Sequence, residues 1–238
     1  MKKAELWFSG DKKVKAFTTV KPLSYTREKL EKNIKSLLIS MKVKPKFTAF
    51  ATQVHGARVF DVKNVKFKNG READGLLTSK KNILLLVFTA DCLPVFLYDK
   101  KFGFIGIAHC GWKSTYKNII GRAVKTMLKK GAKSKDIQVV LGPRIRECCY
   151  EVNPEFALKF KSKYGNVGRH KRGAKLYFSL TEVVKLQLKN MKIPAKNIKD
   201  TGLCTCCVKQ RFFSYRREGK GTGRMVSGIM LLESQSGI

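Results

Sequence analysis

The sequence of 238 residues is poor in histidine and in acidic residues, and it contains no long apolar run. Three histidines limit any metal site to three imidazole ligands. The chain has 17 Asp and Glu residues and 50 Lys and Arg residues, so it is a strongly basic protein with a net charge of +33. The longest apolar stretch, 83–90, is far short of the about 20 residues that cross a bilayer. We therefore expect a soluble protein without a membrane partner.

The N-terminus and the cysteines indicate a cytoplasmic location. The positive start meets Glu5 and Asp11 before any apolar run develops, so no export signal is visible. Seven cysteines are an odd number, which fits free thiols in a reducing compartment better than a disulfide framework. The spacing of the run Cys204-Thr-Cys-Cys207 is interpreted as different from the Cys-x-x-Cys of zinc knuckles, so small apolar residues are expected there rather than a second metal site. The sequence assigns no role to the adjacent pair Cys148-Cys149.

The organisation predicted is a single domain over residues 1–238. The hydrophobic content of 43% is enough for one large core at this length. No Pro/Gly/Ser-rich linker, low-complexity tract or internal repeat divides the chain. One globular unit therefore accounts for the whole sequence.

The positive charge predicts nonspecific adhesion to polyanions and no specific nucleic-acid partner. Lysines are spread over the whole length, and only 169–172, Arg-His-Lys-Arg, is a tight basic block. No zinc-finger spacing or aromatic-basic RNA-recognition motif accompanies it. We interpret the cations as a solvated surface, and His170 as a surface side chain.

Apolar residues at intervals of three and four predict four helices. The predicted helices are Arg27–Met41, Ser114–Lys130 ended by Gly131, one that begins after Asn153-Pro154, and one in which Ser179 and Glu182 have capping-box spacing. Short β-rich runs lie between them. The predicted strands are Val59–Val65, Ile83–Phe88, Val95–Tyr98, Phe102–Ala108, Ile137–Leu141, Leu176–Phe178 and Met225–Leu232. The chain is therefore a mixed protein of helices and strands.

Two of the three histidines and one cysteine lie near the ends of these elements. His55 follows a β-rich stretch, Cys92 lies in a turn between two strands, and His109 ends a strand just before a helix. Two imidazoles and one thiolate are a complete protein ligand set for a catalytic zinc with an open fourth position. The alternatives are core histidines with satisfied hydrogen bonds and an inert buried thiol.

The serial motifs of the chain closely resemble those of the YfiH family. They are Gln53-Val-His-Gly56, Ala73-Asp-Gly-Leu76, Thr89-Ala-Asp-Cys-Leu-Pro94, Ala108-His-Cys-Gly-Trp112, Gly142-Pro-x-Ile145 and Tyr150-Glu-Val152. Near the C-terminus, Cys204-Thr, Phe212-Phe-Ser-Tyr-Arg-Arg217 and Thr222-Gly-Arg-Met225 look like the end of the family signature. The resemblance runs in unbroken order from about residue 51 onward.

The resemblance implies a fold and a metal. It implies an α+β fold in which mixed β-sheets pack together and are covered by helices, in α/β/β/α layers. It also implies zinc bound by His55, Cys92 and His109, the set already found from the residues. Where family members more often have Ala before Gly-Trp-Arg-Gly, this chain has Cys110 and Lys113, and Lys cannot offer the bidentate fork of Arg.

The family's labels disagree about the reaction: laccase-domain polyphenol oxidase, peptidoglycan editing factor, and purine nucleoside phosphorylase. Three histidines are too few for the several coppers of a multicopper oxidase, although a His₂Cys site can take a single copper. We expect instead a zinc-dependent enzyme that phosphorolyses adenosine, inosine, guanosine or methylthioadenosine and also deaminates adenosine. Its partners are then a purine nucleoside and phosphate.

Further residues are assigned to this chemistry as candidates. Asp91, with Asp74 as an alternative, would move protons in a deamination, or else would orient a ligand. Phosphate needs cations, and a purine needs aromatic faces. The candidate cations are Lys113, Arg216, Arg217 and Arg224, and the candidate aromatics are Tyr215, Phe213 and Trp112.

Two other functions remain open. In a Cys-His amide hydrolase, Cys92 would be the nucleophile and His109 its base, which fits the peptidoglycan-editing label but leaves His55 without a role. In a noncatalytic cationic nucleic-acid-binding protein, none of the three ligands would be needed. Loss of metal together with loss of activity in His55→Ala would favour the zinc enzyme.

Overall fold

A computed structural model describes residues 4–8, 10–24, 30–41, 43–64 and 70–233. Its strands are β1 Ala4–Trp7, β2 Val14–Thr19, β3 Phe47–Phe50, β4 Val59–Asp61, β5 Gly75–Thr78, β6 Ile83–Thr89, β7 Leu93–Asp99, β8 Phe104–Cys110, β9 Ile137–Leu141, β10 Glu151–Val152, β11 Arg169–Arg172, β12 Lys175–Phe178, β13 Ile198–Asp200 and β14 Met225–Leu231. Its α-helices are α1 Leu30–Ser40, α2 Trp112–Tyr116, α3 Ile119–Lys129, α4 Pro154–Tyr164, α5 Leu180–Asn190 and α6 Tyr215–Glu218.

Two mixed sheets make up the centre of the fold. The five-stranded sheet has the order β1-β2-β14-β6-β3, and the six-stranded sheet has the order β13-β9-β7-β8-β5-β4. Within them, β3 runs parallel to β6, β13 parallel to β9 and β4 parallel to β5, while the other neighbours are antiparallel. A smaller sheet, β10-β12-β11, lies beside α4.

The alternation of side chains along each strand places the two sheets face to face. On β6, Leu85 and Val87 belong to a core shared with Phe96 and Ile107 of the six-stranded sheet. Leu84, next to Leu85, points to the other face and packs with α1 residues. Successive strand residues face opposite sides, so continuous apolar runs are expected where both faces are covered.

The outer face of the six-stranded sheet is covered by α3 and α5. Val95 and Leu97 of β7 share a buried cluster with Val124 and Met127 of α3 and with Leu188 of α5. The layers are therefore α1, five-stranded sheet, six-stranded sheet, and α3 with α5. This confirms the expected α+β architecture of packed sheets covered by helices.

The predicted helices are present, but one of them is divided in two and another lacks its predicted capping hydrogen bond. The segment Ser114–Lys130 is two helices, because Asn118 adopts a left-handed conformation with φ 62° between them. Asn118 then caps α3 by accepting a hydrogen bond from the Gly121 backbone N–H. Asn enters the left-handed region more readily than most residues, and its short side chain suits a cap.

The last two predicted helices start where expected, but only one is capped as predicted. Asn153 accepts from the Phe156 backbone N–H at the start of α4. Ser179 makes no capping hydrogen bond at the start of α5, and Glu182 bonds His170 and the Gly168 backbone instead. His170 is thus a partly exposed strand residue, hydrogen-bonded through Nε2 to Glu182.

Some predicted limits cannot be compared with the structure. Arg27, the predicted start of the first helix, and Val65, the predicted end of one strand, lie outside the described residues. None of the helices within the described ranges has the length and apolarity that crossing a membrane requires.

Candidate metal centre and cavity

The three predicted ligands come from loops and a strand at one end of the packed sheets. His55 follows β3 in a loop and has a positive φ of 54°. Cys92 is the last of the three residues that connect β6 to β7, and His109 lies near the end of the buried strand β8. Antiparallel pairing of β7 with β8 brings His109 opposite Pro94, two residues beyond Cys92.

One ligand atom from each of His55, Cys92 and His109 lies within 4.8 Å of the others. The two imidazole rings meet edge to face with centroids 4.8 Å apart. Ligands of one tetrahedral zinc at about 2.0–2.3 Å are separated by less than this distance, so the set fits such an ion with little movement. The buried Nδ1 of His55 has no hydrogen-bond partner, as expected for an atom reserved for a metal.

Asp74, at the start of β5, fixes the orientation of both histidines. Its Oδ1 lies 2.7 Å from Nδ1 of His109, which leaves Nε2 of that ring for the metal. The same carboxylate accepts the backbone N–H groups of His55 and of its neighbours Val54 and Gly56. A carboxylate behind a ligating imidazole sets the tautomer and increases the basicity of the ligand.

The absence of a side chain at Gly111 makes room for the ligands. A Cβ atom there would lie 2.4 Å from Nδ1 of His55 and 3.2 Å from Sγ of Cys92. The first distance is shorter than real Cβ contacts, so any larger residue would displace His55. Gly111 thus lies directly against the place where the ligand atoms converge.

Burial and neighbouring charges shift the pKa values of this cluster. Burial, followed by the charge on His109, lowers the pKa of His55. Burial also opposes ionisation of Asp74, but the His109 hydrogen bond and the backbone donors hold the pKa of this carboxyl below its usual value. Burial lowers the pKa of His109, yet Cys92 and then Asp74 outweigh it and raise that pKa to about 9.

The ligands form part of the lining of a cavity of about 560 Å³. This volume is within the range of small-molecule sites, about 300–1,000 Å³. Other lining side chains are aromatic, aliphatic, acidic or basic, and they come from a strand, two short helices and the loops between elements. The lining includes Phe88, Asp91, Trp112, Ile145, Tyr150, Tyr215, Arg216 and Arg224.

Asp91 is held in an uncommon backbone conformation beside Cys92. Its φ is 87°, outside the regions that non-glycine residues favour. Its carbonyl accepts from the Ile145 N–H, its Oδ1 from the Thr205 hydroxyl at 2.6 Å, and its Oδ2 from the Arg216 N–H at 2.6 Å. These bonds maintain the strained residue and attach three separate segments to it.

The structure brings some of the predicted substrate residues together and leaves others apart. Tyr215, Arg216, Arg224 and Trp112 line the cavity, whereas Lys113, Arg217 and Phe213 are not among its lining residues. Arg217 instead donates to the backbone carbonyls of Thr205, Cys206 and Phe212. The Lys113 ammonium lies over the Trp112 ring, 5.5 Å from its centroid.

Two contributors were not singled out from the sequence. Gln53 exchanges two hydrogen bonds with the backbone of Phe88 and so fixes one wall of the cavity. Tyr150 lines the cavity, and burial followed by the charge of Cys92 raises its pKa, so the phenol stays protonated. Both residues stand within quoted motifs, Gln53-Val-His-Gly56 and Tyr150-Glu-Val152, which was the available signal.

The fold and this centre define a mixed α+β protein in which two histidines and a cysteine converge in the lining of a cavity. Residues 23–232 match the family model described as "Multi-copper polyphenol oxidoreductase laccase". The chain belongs to this family.

Known relatives and a solved structure support the assignment. A protein of Borreliella burgdorferi named purine nucleoside phosphorylase is 32% identical over 209 residues, covering 86% of this chain and 87% of the relative. A protein named adenosine deaminase RL5, from an unknown prokaryotic organism, is 34% identical over 160 residues, covering 66% and 61%. The Bacillus licheniformis hypothetical protein YfiH is similar in structure, with a TM-score of 0.84, 29% identity and 92% of each chain covered. The expected resemblance to YfiH proteins is thereby confirmed.

Proposed function

We propose that the chain is a zinc-dependent purine nucleoside phosphorylase that also deaminates adenosine. The observation that carries this proposal is the convergence of His55, Cys92 and His109 at a cavity with aromatic and arginine walls. Relatives named purine nucleoside phosphorylase and adenosine deaminase supply the substrate class. The seven cysteines form no disulfide, which is consistent with a cytoplasmic location.

The donor set fits zinc. Two imidazole nitrogens and one thiolate leave a coordination position open, and the Asp74 carboxylate supports one of the imidazoles. When bound, zinc supplies Lewis acidity and lowers the pKa of water. The same donor set also accepts a single copper ion.

In phosphorolysis, the bond between ribose C1′ and the purine nitrogen breaks, and a phosphate oxygen bonds to C1′. The products are the free purine, which gains a proton, and ribose 1-phosphate. Trp112 and Tyr215 line the cavity and can hold the purine between aromatic surfaces. Arg216 and Arg224 can hold phosphate through their guanidinium groups.

In deamination, water replaces the amino group at C6 of adenosine, and ammonia leaves. Asp91 lines the cavity beside Cys92 and is the carboxylate that we assign to proton movement. Each of its oxygens accepts one protein hydrogen bond, from Thr205 or from Arg216, so each retains a lone pair. A buried carboxylate held by two donors is also well oriented for this role.

A Cys-His amide hydrolase is the second candidate. In this function Cys92 would be the nucleophile, His109 the base and Asp74 the carboxylate that orients the base. Asp74 is hydrogen-bonded to His109, and His109 interacts electrostatically with Cys92. This function leaves the buried, unpartnered Nδ1 of His55 without a role. The zinc enzyme uses all three residues and is therefore preferred.

The first test is incubation of the zinc-loaded protein with adenosine in phosphate buffer, with product identification by mass spectrometry. Adenine with ribose 1-phosphate is expected, and it should be absent from a phosphate-free control. Inosine, formed with or without phosphate, is the expected product of deamination. Unchanged adenosine under both conditions would contradict the proposal and favour amide hydrolysis.

A variant pair separates the candidate functions. His55→Ala should lose the metal held with Cys92 and His109 together with nucleoside activity, whereas His170→Ala, which removes a histidine paired to Glu182, should retain both. Activity that survives loss of metal in His55→Ala would favour the Cys-His hydrolase. A noncatalytic binding protein would show no turnover, and its salt-sensitive affinity for nucleic acid would persist in Cys92→Ala.

A further inference from the structure

A second cluster of cysteines is formed by two segments that follow Cys92 in the chain. One sulfur from each of Cys148, Cys149, Cys204 and Cys207 lies within 4.8 Å of the others. Sγ of Cys207 is 3.5 Å from that of Cys148 and 3.3 Å from that of Cys149. These distances are much longer than a disulfide bond of about 2.05 Å. They are close to the separation of about 3.8 Å between two thiolates on one tetrahedral zinc, given Zn–S bonds of about 2.3 Å.

We propose that Cys148, Cys149, Cys204 and Cys207 bind a structural zinc ion, separate from the His55, Cys92 and His109 centre. Four thiolates complete a tetrahedral shell and leave no position for substrate. A soft, all-sulfur donor set favours zinc over hard divalent cations. The site is thus closed, in contrast to the open His₂Cys centre.

The interpretation of the run Cys204-Thr-Cys-Cys207 as small apolar residues does not fit Cys207. Cys207 is exposed, as is Cys148, whereas Cys204 is buried. An exposed pair of thiols gains nothing from apolar packing, so their convergence on Cys204 needs another explanation. The residues Cys204 and Cys207 also have Cys-x-x-Cys spacing, a frequent arrangement in zinc sites, with a further cysteine between them.

The backbone around the cluster supplies donors to one of its sulfurs. The N–H groups of Cys207 and Arg146 donate to the Cys204 sulfur. Arginine side chains bind the carbonyls of the cysteine segments. Arg217 donates to the carbonyl of Cys206 at 2.6 Å, and Arg216 to that of Cys149 at 3.4 Å. Such cations offset the net negative charge of a zinc with four thiolates.

The cluster joins two segments that both hold Asp91. One contains Ile145, whose N–H donates to the Asp91 carbonyl, and the other contains Thr205, whose hydroxyl donates to Asp91 Oδ1. An isolated β-bridge between Arg144 and Cys204 already links the two segments. Zinc bound by the cluster would link the two segments and so stabilise the part of the cavity wall that contains Asp91.

The test measures how many metal ions bind to a variant in which the His55, Cys92 and His109 centre has been disrupted. His55→Ala protein, reduced and stripped of metal, is titrated with Zn²⁺ against a chromophoric chelator and with Co²⁺ followed by its thiolate charge-transfer absorption. We expect one equivalent to bind in His55→Ala and in His55→Ala/Cys206→Ser, because the Cys206 sulfur is outside the cluster. His55→Ala/Cys207→Ser should lose at least tenfold in zinc affinity and most of the cobalt absorption.

Other outcomes would overturn the proposal. Absence of zinc and cobalt binding in reduced His55→Ala would do so, as would equal affinity in the Cys207→Ser variant. A mass lower by two protons in unreduced protein, with no metal bound after reduction, would assign a disulfide instead. If a variant does not fold, hydrogen exchange of the metal-stripped His55→Ala protein gives a second measurement: added zinc should slow exchange in 144–150 and 203–208.

Discussion

Asp74 and His109 are joined by a short hydrogen bond, with Oδ1 of the carboxylate 2.7 Å from Nδ1 of the imidazole. Because the same carboxylate accepts three backbone N–H groups around His55, it positions two of the three candidate ligands. The metal centre therefore depends on a residue that is not itself among the ligands.

Replacing Asp74 by Asn should weaken zinc binding about 10–100-fold, because the amide cannot accept from all four donors and loses the negative charge behind His109. Zinc affinity would be measured by chelator competition, and activity at low and at saturating zinc. Saturating zinc should restore part of the activity. Asp61→Asn, a substitution on β4 outside the cavity lining, is the matched control. Equal zinc affinity in both variants would contradict the positioning role.

Gly111→Ala should reduce zinc affinity about tenfold or more. The new Cβ would lie 2.4 Å from Nδ1 of His55, and overpacking of this kind costs about 1–3 kcal/mol. Metal content after dialysis against a weak chelator gives the measurement. Gly221→Ala, where a Cβ meets no heavy atom within 4 Å, should keep the wild-type metal content. Similar metal content in the two variants would show that His55 can move aside.

Arg224→Ala should impair phosphorolysis and spare deamination. The residue lines the cavity, and loss of a hydrogen bond to a charged group of about 1.5–3 kcal/mol should raise the KM for phosphate about 10–100-fold. Initial rates at varied phosphate and at varied adenosine separate the two effects. Arg122→Ala, an exposed substitution on α3, should leave both activities unchanged. An equal fall in both activities would assign Arg224 to the nucleoside or to the fold.

The stability of the protein should fall in acid because of Asp200. Burial opposes its ionisation, but the buried Arg144, 2.7 Å away, holds the pKa of this carboxyl well below its usual value. A depressed native pKa contributes stability that is complete above the unfolded pKa of about 3.9 and is lost progressively as the pH falls below it. Urea unfolding from neutral pH to about pH 3 should follow this loss.

Asp200→Asn supplies the variant for that experiment. It leaves the Arg144 charge buried and unpaired, so it should cost about 3–5 kcal/mol at neutral pH and flatten the acid dependence. Glu233→Gln breaks an exposed pair with Lys46 and should change stability by less than about 1 kcal/mol. An unchanged acid slope in Asp200→Asn would exclude this ion pair as the cause.

The sequence predicted the parts of the fold that depend on local pattern. Strands with continuous apolar runs, such as β6 and β7, were found because both of their faces are buried. β2 was missed because its buried Thr18 and Thr19 look polar in sequence. Hydrogen bonds from other strands satisfy their hydroxyls within the core. The Trp7 indole N–H and the Ser227 hydroxyl bond the Thr18 hydroxyl, and the Val226 N–H donates to the Thr19 hydroxyl. Such partners are set by tertiary packing.

The candidate metal centre was predictable because histidine is scarce, so His55 and His109 could be weighed individually. Other parts of the cavity wall were not, since Tyr150 and Ile145 come from a loop whose position depends on hydrogen bonds to Asp91 and Arg146. The same reason explains the cysteine cluster, in which residues almost 60 positions apart meet only after both loops have folded back.

The place of β14 in its sheet delays completion of the five-stranded sheet. It lies between β2 and β6, so both of these strands gain their shared neighbour only after a segment that follows them in the chain has been made. Until Met225–Leu231 has left the ribosome, the β1–β2 ribbon has no neighbouring strand on its inner edge, and the facing edge of β6 is also unpaired. A nascent chain that pauses before this strand would expose these edges and would be a substrate for chaperones.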